Sequence, residues 1–304
     1  MPRVLIVGSA NVDFTVTLPR LPRPGETVSA GTLLIARGGK GANQAVAARR
    51  LGADVRLIAC VGDDASGREV RAALDAEGIG TAGVVTTSSA ATGTALIVVD
   101  ATGRNQIAVA PGANRALTVG DIDAHDADIA WAEVLVCSLE VPLATVRRAL
   151  ERARRHRVVT ILNPAPFPDA GVDFLALADY VTPNESEAAR LAARPVGDLD
   201  DLPKVAAAIR ALGAARVVLT LGARGAFAAG PDGEVHAPAA AVNAIDTTGA
   251  GDAFNGALAV ALAEGRSLPA AVRFANAAAA LACTKRGAQP SMPARADVID
   301  AEGA

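Results

Sequence analysis

Aromatic residues are scarce in this chain, with six Phe, one Trp and one Tyr among 304 residues. A polar ligand is therefore not expected to be held mainly by stacking. Lysine is scarcer: of 29 basic residues only Lys40, Lys204 and Lys285 are Lys. With a formal net charge of -3 and a pI near 5.7, the chain lacks the basic excess of a nucleic-acid binder, and no nucleic acid is expected as a partner. Cysteine is rare, odd in number and widely spaced (Cys60, Cys137, Cys283). That excludes a disulfide framework and a CxxC metal pair, and makes a reducing cytoplasm the expected setting. His125, His156 and His236 lie far apart and read as surface residues rather than metal ligands or a triad base.

Long apolar runs are also missing. Although mean hydropathy is +0.31, nothing approaches the run of about 18 apolar residues that a spanning helix needs. The opening MPRVLIVGSANVDF has too short an apolar run, and no cleavage pattern, for a signal peptide. No membrane partner is expected. A G-x-x-x-x-G-K-[ST] phosphate loop is absent too, since the three Lys are followed by Gly41, Val205 and Arg286. The one G-x-G-x-x-G, Gly78 to Gly83, follows a helical segment and opens no helix, so it reads as a turn. The sequon at Asn184-Glu185-Ser186 has no consequence in a cytoplasmic chain.

What is present is an apolar fraction of 51% against 20% charged residues. That permits a sizeable core and excludes wholesale disorder. Short β-rich runs (Val4 to Val7, Val55 to Val61, Val134 to Cys137, Val158 to Leu162, Tyr180-Val181, Arg216 to Leu221) alternate with helical patterns. Those patterns cover Ala42 to Leu51, Gly67 to Glu77, Leu143 to Arg155, a segment after Asn184, Lys204 to Leu212, Ala250 to Ala263 and Pro269 to Thr284. Such alternation predicts βαβ units: an α/β fold with a mostly parallel central sheet flanked by helices. Segments 14–37 and 92–110 break it with β patterning, the second as a hairpin turning at Asp100 to Gly103. With no linker or repeat, 1–304 reads as one domain with a discontinuous β lid.

Several post-strand segments carry chemistry. Gly8 to Asp13 offers Asn11 and Asp13 at a strand end, where open α/β sheets bind ligands; it also reads as a plain turn. Gly38-Gly39-Lys40-Gly41-Ala42-Asn43 precedes a helix, and three glycines around a rare Lys suit close backbone approach to an oxygen-rich ligand. Glu140 reads either as a hydroxyl ligand or as a first-turn helix acid. Asn184 to Glu187 suits water-mediated Mg²⁺ binding, or equally a helix cap. Thr220 to Gly225 is a glycine loop fit for phosphates or a β turn. The densest segment is Asp246 to Gly256. Gly249, Ala250 and Gly251 can aim successive N–H groups into one concavity, with Asp252 beside them in the first helical turn, able to take a proton from an attacking hydroxyl.

Taken in order, GSANVD, GGKGANQAVAA, LNPAP (from Leu162), TPNESEA (from Thr182), DTTGAGDAFNGAL and KRGAQPSMP (from Lys285) resemble the PfkB carbohydrate kinase family, over nearly the whole chain. The resemblance implies a Rossmann-like core and a β lid that often builds a homodimer. It implies ATP-dependent phosphorylation of a sugar, D-ribose at its 5-hydroxyl, with alternatives in a deoxysugar, a ketose phosphate or a nucleoside. A sugar-sensing protein without catalysis is disfavoured by the intact Asp and glycines. By motif, Asn11, Asp13, Gly39, Lys40, Gly41, Asn43 and Glu140 would bind the sugar. Asn184, Thr220, Gly222, Gly225, Gly251 and Asn276 would line the ATP site. Asp252 would be the general base, within the nest of Gly249, Ala250 and Gly251, and Glu187 would support Mg²⁺. Asp246, Thr248, Ala282, Lys285, Gly287 and Ser291 would form a monovalent-cation site, for K⁺. Two departures stand out. Cys137-Ser138-Leu139 precedes Glu140 where members often carry a Gln two residues before the Glu, and Arg37 precedes the double glycine.

Overall fold

Strands that are buried on both faces must be apolar along their whole length, and the first strand obeys this, with Val4 to Val7 fully inaccessible. The computed structural model describes residues 1–302 other than 30, 103, 170 and 172; Gly103 of the expected hairpin turn lies outside the described residues. The strands are β1 (Arg3–Val7), β2 (Asn11–Leu18), β3 (Thr32–Gly38), β4 (Asp54–Gly62), β5 (Val84–Thr87), β6 (Gly93–Asp100), β7 (Asn105–Ala110), β8 (Val134–Ser138), β9 (Val159–Asn163), β10 (Tyr180–Val181), β11 (Arg216–Thr220), β12 (Ala226–Gly230) and β13 (Gly233–Ala237). The helices are α1 (Lys40–Arg50), α2 (Ala65–Ala76), α3 (Val119–Ala124), α4 (Asp126–Trp131), α5 (Leu143–His156), α6 (Glu185–Ala192), α7 (Leu202–Ala211), α8 (Ala250–Ala263), α9 (Leu268–Ala282) and α10 (Arg295–Glu302).

Nine strands form one sheet in the order β13-β12-β11-β10-β9-β8-β1-β4-β5. All neighbours from β11 to β5 are parallel, while β12 and β13 extend the edge as an antiparallel hairpin. One apolar cluster joins α1, α2, α8, α9 and α10 to one face of the sheet. A second joins α3 to α7 to the other face. The chain runs outward from β1 to β4 and β5, then returns to β8 on the other side of β1. The strand order therefore reverses between β1 and β8, where α/β folds open a crevice at the carboxyl ends of their strands.

The two segments expected as β insertions form a separate four-stranded sheet, ordered β3-β2-β6-β7. Its first strand begins at Asn11, earlier than the expected Phe14, because Asn11 pairs with Gly38 on one side and Gly93 on the other. Asn11 and Asp13 are thus strand residues, not loop residues. Six large side chains of this sheet, Leu33, Leu34, Ile35, Leu96, Ile107 and Val109, are each more than half exposed.

Candidate active site

Helix α8 starts at a left-handed Gly249 (φ 79°) and carries no side-chain cap. Its first N–H groups therefore lack intrahelical partners, as at any helix start. The nest is less regular than expected. The Ala250 N–H turns back to the Thr247 carbonyl at 3.2 Å, closing a tight turn. Gly251 is left at the second helical position with open space where a side chain would stand. Asp252 follows and is buried. Its Oδ2 accepts from Asn43 Nδ2 at 2.9 Å and its Oδ1 from Gln44 Nε2 at 3.2 Å. Burial pushes this carboxyl above the ordinary range; Lys40 and the two amides oppose the shift, and Glu140 adds to it.

The β1/β8 crevice gathers the sugar-loop residues. Glycine is required here by close approach: a Cβ on Gly41 would meet Gly8 at 2.6 Å, and one on Gly39 (φ 87°) would meet Ala10 at 2.8 Å. The two loops therefore lie directly on each other. Glu140 accepts a short hydrogen bond from Ser9 Oγ and another from the Lys40 N–H at 3.1 Å. Asn11 is buried and its Oδ1 accepts from Asn114 Nδ2 at 2.7 Å. Burial, then Glu140 and Asp252, raise the Asp13 carboxyl to about 6. Burial would lower the Lys40 ammonium, but Asp252, Glu140 and Glu187 outweigh it and hold it above its usual value. Of the two departures, Ser138 has a buried hydroxyl with no partner among the described residues, and Arg37 is exposed on β3.

A cavity of about 920 Å³ runs from Lys40 and Asp252 to the far end of the nucleotide-motif residues. Thr220, Gly222, Gly225, Gly249, Ala250, Gly251 and Asn276 all line it, as do Asn184 and Glu187. The cap reading of Asn184 also holds, since its side chain accepts from the Glu187 N–H while Glu187 Oε2 accepts from the Asn184 N–H, both at 2.9 Å. Burial raises the Glu187 carboxyl, opposed by the Asn184 N–H and Lys40. Asn276 Nδ2 donates to the Ala237 carbonyl at 2.8 Å, and a Cβ on Gly225 would meet that same oxygen at 2.1 Å. The β12–β13 hairpin thus forms one wall. A second cavity of about 620 Å³ sits by Thr160, Tyr180 and Arg216, at the amino ends of β9 to β11, and holds none of the expected residues.

Asp246 ties the glycine turn to the segment after α9. Its Oδ1 accepts from the Thr248 N–H at 2.9 Å and its Oδ2 from the Gly287 N–H at 2.8 Å. Burial alone would raise this carboxyl; these N–H groups and Arg286 bring it below its ordinary value. The Ile245 and Asp246 N–H groups both donate to the Cys283 carbonyl. Ala282 and Ser291 are buried, and the Ser291 hydroxyl is turned inward onto the Ala288 carbonyl at 2.7 Å. Lys285 is exposed. Among the described residues no cluster of three or more His, Cys, Asp or Glu side chains could hold a metal. The three histidines find ordinary partners: Asp128 for His125, Asp126 for His156 and the Arg224 carbonyl for His236.

Sequence reading assigned no role to Gln44, Asn114, Asn163 or Asn255, all buried polar residues around this site. Gln44, Asn163 and Asn255 sit inside the quoted motifs, the one sequence signal that points to them.

A buried carboxylate at a helix start, a glycine turn beside it, and a cavity joining a polar crevice to glycine loops suit a phosphoryl-transferring enzyme. The chain belongs to the pfkB family of carbohydrate kinases, whose family model matches residues 1–295. It is 41% identical over 295 residues to the ribokinase of Haemophilus influenzae, covering 97% of this chain and 96% of that one. It is 36% identical to the deoxyribokinase of Salmonella typhi over 291 residues, 95% of each chain. The structure of Arabidopsis thaliana ribokinase complexed with ribose and ATP superposes with a TM-score of 0.89 at 32% identity, covering 99% of this chain and 98% of that one.

Proposed function

We propose that this chain transfers the γ-phosphoryl group of ATP to the 5-hydroxyl of D-ribose, giving D-ribose 5-phosphate and ADP. The observation that carries the reading is the buried carboxylate Asp252, held by two amides beside the open face of Gly251, where the crevice meets the large cavity. Ribokinases among its relatives, one solved with ribose and ATP, support the choice of substrates.

In this reading Asn11, Asp13, Glu140 and the 39–43 loop hold the sugar hydroxyls, the carboxylates accepting and the amides and backbone N–H groups donating. Asp252 takes the proton from the 5-hydroxyl as that oxygen attacks the γ-phosphorus in line, and the bond from γ-phosphorus to ADP breaks. A raised carboxyl pKa suits a base, because it strengthens the pull on the proton. The N–H groups at the start of α8 and the Lys40 ammonium face the charge that builds on the transferring group. Lone carboxylates rather than a cage fit Mg²⁺, which keeps its waters and rides on phosphates; Glu187 and Asn184 would hold it, and it would neutralise phosphate charge. The Asp246 oxygens and the carbonyls of 282–291 would hold K⁺, which would stiffen the glycine turn. The exposed apolar side chains of the four-stranded sheet suit a lid that closes on the sugar and pairs with a second copy of this chain, since exposed apolar patches mark interfaces. A cytoplasmic location accords with free cysteines and with there being, among the described residues, no helix long and apolar enough to cross a membrane.

A coupled ADP-release assay over D-ribose, 2-deoxyribose, fructose 6-phosphate and a nucleoside, with and without K⁺, tests the reading. D-ribose is expected to be the best substrate and K⁺ to outperform Na⁺. Asp252→Asn is expected to lower kcat by about 10²–10⁴-fold. Near wild-type turnover in that variant removes the base assignment.

A further inference from the structure

As a carboxylate Asp252 is an acceptor only, so the amides beside it turn their NH₂ groups toward it. Asn43 and Gln44 both do, and each leaves its carbonyl oxygen, Asn43 Oδ1 and Gln44 Oε1, buried without a partner among the described residues. Buried polar groups are nearly always paired, and exceptions gather where function retains them. Gln44 is fully buried, and its Nε2 divides between two acceptors, Asp252 Oδ1 at 3.2 Å and Asn163 Oδ1 at 3.3 Å. Beyond it the bonds continue in one sense. Asn163 Nδ2 donates to the Thr182 carbonyl at 3.2 Å, Thr182 Oγ1 to Asn255 Oδ1 at 2.7 Å, and Asn255 Nδ2 to the Gly251 carbonyl at 2.8 Å. Gly251 precedes Asp252, so the ring closes on itself, and Gln44, Asn163, Thr182 and Asn255 are all at least nine-tenths buried.

We propose that this closed ring makes Gln44 and Asn255 positioning residues for phosphoryl transfer: Gln44 orients the Asp252 carboxylate, and Asn255 fixes the peptide of Gly251 in the glycine turn. The ring locks the base and the N–H groups of α8 to each other and to the ends of β9 and β10. Its donors are three amides and a hydroxyl, running from Gln44 through Asn163 and Thr182 to Asn255, and backbone carbonyls only accept, so it holds geometry and does not relay the proton. The charged groups facing Asp252 are Lys40 on α1, Glu140 after β8 and Asp13 on β2.

The inference rests on the kinase reading, and the test separates the two. Gln44→Met, Gln44→Glu and Asn255→Leu are compared with wild type and Asp252→Asn by ADP-release kinetics, ADP titration calorimetry and thermal melting. In Gln44→Met and Asn255→Leu kcat is expected to fall about 10–100-fold, with KM for sugar and ATP and the ADP affinity within about threefold of wild type. The acid limb of kcat/KM is expected to move to higher pH in Gln44→Met, which no longer donates to the carboxylate, and further in Gln44→Glu. Folded variants with kcat within about twofold of wild type overturn the proposal. So does a fall in kcat that tracks lost melting temperature with an unmoved acid limb. If Gln44→Met does not fold, Gln44→Glu decides: an acid limb at the wild-type position refutes the role of Gln44. Wild type that ignores ribose but phosphorylates another alcohol overturns the ribose reading alone, and the same ratios are then read on that alcohol.

Discussion

Replacing Asp13 by Asn is expected to stabilise the protein and impair it at once. Asp13 is the third residue of β2, and a Cβ on Gly38 of the paired strand would come within 2.0 Å of its Oδ2. Burial first, then the nearby Glu140 and Asp252, raise its carboxyl from 3.8 to about 6. A carboxyl whose folded pKa exceeds its unfolded value binds a proton more tightly when folded. Its ionisation therefore opposes folding: not at all below 3.8, increasingly between 3.8 and 6, and in full above 6. A rise of that size corresponds to about 3 kcal/mol at pH 8. Asn keeps the volume and carries no charge, so Asp13→Asn should gain about 1–3 kcal/mol at pH 8 and less than half of that near pH 4.5. Urea unfolding followed by the fluorescence of Trp131, the chain's one tryptophan, reads both values. Sugar kcat/KM should fall about 10–100-fold, the worth of one charged hydrogen bond. Equal destabilisation at both pH values would refute the idea that Asp13 is held against its own charge. A stabilised variant with unchanged kinetics would refute its role on the sugar.

Two further outcomes test the nest and the second sheet. Gly251→Ala adds a methyl into open space at an ordinary φ; melting should stay within about 1 kcal/mol of wild type while kcat falls about tenfold or more, because the methyl would stand where the proposed transfer brings the phosphoryl oxygens, and full activity with an intact fold would contradict the nest. Ile35→Glu and Leu96→Glu place charges on an exposed apolar row, since Phe14 pairs with both residues; light scattering is expected to give a dimer mass for wild type and a monomer mass for the variants, and equal masses would sink the proposed pairing of lids.

The parallel core was legible because strands buried on both faces must read as apolar runs. Val4 to Val7 and Val134 to Cys137 could hardly be anything else. The β12–β13 hairpin was not, because Ala-Phe-Ala-Ala-Gly alternates nothing and contains no β-branched residue. Helix α7 begins at Leu202, two residues before the expected Lys204, since Pro203 is accepted in a first turn. The site was legible wherever one short segment holds both the special backbone and the polar group, as around Gly39 and Gly249. It was illegible where a side chain acts through partners far along the chain. Gln44 and Asn163 are 119 positions apart, and Thr182 and Asn255 are 73 apart, so only folding discloses them.

Several segments invited a choice between a structural and a chemical reading, and at α6 that choice dissolves. The reciprocal bonds of Asn184 and Glu187 satisfy the orphan donors of a helix start. The same bonds take up Glu187 Oε2, fix the rotamer, and hold a buried carboxylate in the wall of the large cavity, close enough to Lys40 to be shifted by it. A carboxylate free to rotate at that depth would turn to water. The cap therefore supplies the rigidity that a site for phosphates requires. Asp246 is used in the same way: its two oxygens brace the glycine turn against Gly287, so the start of α8, which has no cap of its own, is held from outside. In both places a carboxylate that satisfies backbone donors also fixes the start of a helix, which is why motifs this dense gather at the carboxyl end of the sheet and in the first turns of the helices that follow.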